Sequence, residues 1–73
     1  KKKESKLMRM RTVSAREAVK RYPAYNKFHL EGSIVDLITD CLHYAKKSGV
    51  DTDRLLRTVL THYDAEKINE QTL

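Results

Sequence analysis

The chain predicts an all-α fold: an antiparallel helical hairpin, a shorter N-terminal helix packed across it, and a basic flexible N-terminal arm. Three observations predict it. Gly and Pro are scarce, two and one among 73 residues, which favours long helices over turn-rich β structure. Apolar residues between 33 and 70 recur at the helical period rather than alternating. One short turn, Ser48-Gly49-Val50-Asp51, carries a helix stop and a helix start together. The domain division that follows is an arm over 1–12 and a single small helical domain over 13–73.

Residues 1–11 are rich in like charge and short of helix punctuation, so they read as a mobile arm. The first helix is expected to start at Ser14, where Ser14 and Glu17 have the spacing of a capping box and Val13 can staple onto Ala18. Ala15, Ala18, Val19 and Tyr22 then share a face. Pro23 ends the helix, because the residue before a proline is pushed out of the α region. Residues 23–32 read as a helical turn begun by Pro23 and then a loop. Tyr22, Tyr25, Phe28 and Leu30 lie in or beside this stretch as a lid on the hairpin or as interface anchors.

Ser33 is the expected cap of the second helix, with Asp36 at the capping-box position. Ile34, Leu37, Ile38, Cys41, Leu42 and Ala45 follow the period, and Val35 and Tyr44 widen the stripe. Lys46 and Lys47 at its end complement the helix dipole. Gly49 is the expected left-handed residue after that end, with Val50 folding back on Ala45 as in a Schellman motif. Asp51 caps the third helix, whose inner stripe is Leu55, Leu56, Val59, Leu60 and Tyr63, continued by Ile68. Residues 69–73 are expected to fray.

Charge is divided unevenly along this frame. Residues 1–30 hold ten Lys/Arg against Glu4 and Glu17, a net +8, while residues 31–73 hold five basic and eight acidic residues, a net −3. A basic arm on an acidic body fits nucleic acid, where Lys and Arg displace condensed counterions, and fits an acidic protein partner equally. The bland alternative is a solvated tail. No segment reads as a signal peptide, and no apolar run approaches the roughly 18–20 residues of a membrane span. The single Cys41 rules out an internal disulfide and sits on an apolar stripe, which suits a reducing compartment. The expectation is a soluble cytoplasmic protein.

Enzymatic chemistry finds little support. There is no glycine-rich phosphate loop, no Glu-x-x-Glu pair and no nucleophile set on rigid supports. Glu66 and Glu70 share a face only near the chain's end. His43 and His62 fall roughly 7 Å out of register in a hairpin closing near residue 50, and neither they nor His29 has metal-ligand spacing. No metal, cofactor or small-molecule substrate is expected. A DNA-reading helix-turn-helix offering Thr52, Arg54, Arg57 and Thr58 is the minor reading of the hairpin, because Asp51 and Asp53 at the helix start repel phosphate.

The order Asp-Leu-Ile-x-Asp, x-His-x-Ala, x-Gly-x-Asp and a closing His-Tyr-x-Ala-Glu, within residues 33–66, resembles small uncharacterised helical proteins of phages and prophages. The resemblance implies a helical hairpin and a phage-type origin, hence host cytoplasm, and no activity; the basic N-terminal third lies outside it. The leading expectation is a non-enzymatic binding protein that associates with nucleic acid through Lys1, Lys2, Lys3, Lys6, Arg9, Arg11, Arg16, Lys20 and Arg21. Its hairpin would form a homodimer, since chains below about 70–80 residues seldom gain enough from one core alone. The runner-up is a protein-binding adaptor or inhibitor anchored by Tyr22, Tyr25, Phe28 and Tyr44. A scaffolding component of a particle is the third possibility.

Overall fold

The computed structural model describes residues 6–72, with the side chains of 6–67. It contains three helices, α1 (Lys6–Arg21), α2 (Leu30–Lys47) and α3 (Thr52–Thr72), and no strand among the described residues. The all-α class and the chain reversal between α2 and α3 stand as expected.

The reversal is built as its sequence reads. Gly49 has φ +86°, a conformation that costs a residue with a Cβ about 1–2 kcal/mol. The Val50 N–H donates to the Ala45 carbonyl at 2.9 Å and the Gly49 N–H to the Lys46 carbonyl at 3.1 Å, the two bonds that close a Schellman end. Asp51 then caps α3: its carboxylate accepts the Arg54 N–H at 3.1 Å.

Three boundaries differ from expectation. Helix α1 is already formed at Lys6 rather than starting at Ser14, so residues 6–12, assigned to the arm, are its first turns. Leu, Met, Lys and Arg are strong helix formers, and Ser14 and Glu17 simply lie inside the helix. Thr12 Oγ1 donates back to the Met8 carbonyl at 2.9 Å, a bond that mid-helix threonines tolerate. Helix α2 begins at Leu30, one turn before Ser33. Helix α3 continues to Thr72, through residues expected to fray. Residues 1–5, with the expected nucleic-acid contacts Lys1, Lys2 and Lys3, lie outside the described residues, as do the side chains of Ile68 and Glu70.

The α1–α2 connection is two successive tight turns, not a helical turn and a loop. Tyr25 N–H donates to the Tyr22 carbonyl at 2.9 Å, around Pro23 and Ala24, and His29 N–H to the Asn26 carbonyl at 2.9 Å. Proline at the first inner position of such a turn presets its φ. Asn26 Oδ1 accepts the Phe28 N–H at 2.9 Å, an Asx-turn. Ser33 is the tie between these turns and the helix. It is 3% exposed, its Oγ accepts the Asn26 N–H at 2.8 Å, and the hydroxyl proton has the carbonyls of His29 at 3.1 Å and Asn26 at 3.3 Å to choose between.

Helix α1 packs on α2 and α2 on α3. The end of α1 meets the start of α2, where Val19, Tyr25, Leu30 and Ile34 line a cleft of about 380 Å³. The beginning of α1 meets the end of α3, where Met8 shares a recess with Tyr63, Glu66 and Lys67 and Arg11 forms an ion pair with Glu66. Helix α1 thereby lies across the open end of the hairpin.

Candidate nucleic-acid interface and apolar face

Helix α1 sorts its residues onto distinct sides at 3.6 residues per turn. Met8, Thr12, Ala15 and Val19 form the side that faces the rest of the molecule, and Val19 is buried. Lys6, Arg9, Arg16 and Lys20 fall within about 80° of one another on an adjoining side. All four are exposed, and from first to last they span about 21 Å of helix axis. Their alignment follows from the spacing i, i+3, i+10, i+14, which returns close to the same angle.

The remaining cations do not join this ridge. Arg11 projects from a different angle and is engaged with Glu66 of α3. Arg21 lies on yet another side, and Lys27 sits 5.2 Å from the centroid of the Phe28 ring, a cation–π distance. Arg16 has the Glu17 carboxylate 3.7 Å away, an exposed pair of small energetic weight. Helical continuity down to Lys6 was the feature that sequence reading missed, and it is what aligns Lys6 and Arg9 with Arg16 and Lys20.

The four aromatic candidates do not form one patch. Tyr22 and Tyr25 are half-buried in the connection. Phe28, 80% exposed, stands beside the start of α2, and Tyr44, 73% exposed, is in its last turn. Fourteen residues from Leu30 to Tyr44 put them about 21 Å apart along the helix. The hairpin's start of α3 offers little to a base edge either, because Thr52 is half-buried and Asp51 is spent on the cap.

A second surface is apolar. The hairpin is closed only near its turn, where Ala45 is buried and Leu42, Thr52 and Leu55 are half-buried. Away from the turn the expected inner stripe of α3 stays open: Leu56 is 38% exposed, Val59 51% and Tyr63 58%. On α2, Leu30, Ile34, Ile38 and Cys41 fall within about 80° of one another, and all are exposed. The helical period marked Ile34, Ile38 and Cys41 on α2 and Leu56, Val59 and Tyr63 on α3 as faces of their helices, whereas Leu30 was expected in the loop before α2. What it could not show is that the partner helix leaves them uncovered.

Among the described residues no three His, Cys, Asp or Glu side chains converge, and no helix is long and apolar enough to cross a membrane. Comparison with known proteins returned no matching family model, curated protein or solved structure.

Proposed function

We propose that the protein is a non-enzymatic, sequence-independent nucleic-acid-binding module that uses α1 as its contact helix. The observation that carries this reading is the ridge of Lys6, Arg9, Arg16 and Lys20, four exposed cations aligned over about 21 Å, with Glu17 beside Arg16 as the one acidic residue of α1 at its margin. Such a row neutralises phosphates and releases their counterions, and it places no group in position to read a base edge. Lys1, Lys2 and Lys3 precede the ridge in sequence and supply three further cations.

The test is the salt dependence of binding to a labelled random-sequence duplex. Each α1 ridge that engages four phosphates contributes about −3.6 to the slope of log K against log salt, and engagement of its three N-terminal lysines steepens that share to about −6. Replacing Lys6, Arg9, Arg16 and Lys20 by alanine should flatten the slope by about 3.6 for each ridge engaged and leave the helical signal intact, since alanine favours helix. A slope near zero in the unmodified protein would remove the proposal.

A second reading, a protein-binding adaptor, is favoured by one observation: Phe28 is 80% exposed beside Leu30 and Val35, themselves more than half exposed. On that reading Phe28→Ala abolishes partner capture while nucleic-acid binding persists.

A further inference from the structure

The open side of the hairpin requires an occupant, and its chemistry defines one. Ile38 and Cys41 on α2 and Val59, Leu60 and Tyr63 on α3 are all exposed; Ile34 beside them also lines the cleft against α1, and among the described residues the one charge against the stripe is Lys67, 5.5 Å from the Tyr63 ring centroid. A polyanion cannot satisfy such a face. The chain as a whole is also too open for its mass. Its accessible surface is 6533 Å² for 8.5 kDa, whereas a compact monomer of that mass exposes about 4,650 Å². Its radius of gyration is 14.3 Å, against about 11 Å for a compact 73-residue domain.

The difference over the whole chain, terminal segments included, is about 1,900 Å², which leaves room for the roughly 800 Å² that each partner gives up in a standard stable interface. Only Val19 and Ala45 are buried apolar residues among those described. A second copy offers the same apolar stripes, and an interface between identical patches is self-complementary about a two-fold axis. We infer that the open hairpin face is the interface of a closed two-fold homodimer, α2 and α3 of one copy seating against those of the other. Each apolar stripe then gains the helical neighbour that its own chain withholds, in the manner of a four-helix bundle. Cys41 lies inside that interface. The inference stands on the hairpin and not on the α1 ridge.

Sedimentation equilibrium and thiol alkylation in high salt, without nucleic acid, test it independently of any phosphate binding. The expected result is a mass twice the 8.5 kDa of one chain, with Cys41 reacting at least about tenfold more slowly than a free thiol in a small peptide, as a buried thiol does. Leu60→Asp should abolish the doubled mass, with or without loss of helical signal, because a charge there is stranded in the interface. A helical species of single-chain mass at all concentrations overturns the inference. So does a mass that grows beyond the pair. So does a dimer whose Cys41 reacts freely, or one that Leu60→Asp leaves unchanged.

Discussion

Replacing Ser33 by alanine removes one hydroxyl that belongs to α2 but serves residues seven positions earlier. In the native chain Oγ accepts the Asn26 N–H at 2.8 Å, and the site is 3% exposed, so no water takes its place easily. A donor left without a partner in such a site costs about 1–3 kcal/mol. Alanine returns a few tenths of that through its better helix propensity. The net loss is therefore about 1–2 kcal/mol, and for a chain of this length each kcal/mol lowers Tm by about 4–8 °C. Thermal unfolding followed by circular dichroism, at one fixed chain concentration, should show a fall of about 5–15 °C. Hydrogen exchange supplies the local readout: the Asn26 amide should be protected in the native protein and lose protection in Ser33→Ala. A Tm within about 1 °C of native, beyond which even a weak bond would register, would refute the reasoning. An Asn26 amide that exchanges freely in the native protein would refute it too.

Further expectations rest on single features. Gly49→Ala should destabilise by about 1–2 kcal/mol in denaturant unfolding, from backbone strain alone, because nothing lies within 4 Å of the added Cβ. Asp51→Ala should cost about 0.5–2 kcal/mol through loss of the α3 cap, and Asp51→Asn should restore most of it. Arg11→Met should cost at most about 1 kcal/mol and lose its effect in high salt, since the Arg11–Glu66 pair is partly exposed. If folding and pairing are one event, Tm should rise by about 4–5 °C for each tenfold increase in chain concentration, from the entropy of unfolding two 73-residue chains; a constant Tm would separate the two events.

How much of this was legible in the sequence depended on whether the deciding interaction was local. The turn at residues 48–51 was fully readable, because Gly49 and Asp51 act on backbone groups within a few residues. The start of α1 was misread because Ser14 and Glu17 have capping-box spacing wherever they occur, while continuous helix-forming residues upstream carry the helix through them. Ser33 was misread for a different reason. Its hydroxyl does satisfy a free backbone amide, as a cap would, but that amide belongs to Asn26 across the preceding turn. The cationic residues were all visible as charge; their division into a ridge and the separately engaged Arg11 needed the helix to reach Lys6 and the end of α3 to come alongside.

The two proposed surfaces occupy different elements, and this gives their relation a definite thermodynamic form. The ridge is on α1, whereas the apolar face is on α2 and α3, so substitutions in one should add to substitutions in the other for each binding event taken alone. The events themselves are nonetheless linked, because a closed pair carries two α1 ridges and therefore doubles the phosphates that one particle engages. A duplex that holds both ridges at once favours the paired form over the single chain, and by reciprocity it must tighten the pairing by the same factor that pairing tightens binding. Leu60→Asp should then weaken nucleic-acid binding and roughly halve its salt slope, although residue 60 touches no phosphate. Alanine replacement of the ridge has the opposite character: it weakens binding and flattens its salt slope, and leaves the dimer, measured in high salt, unchanged.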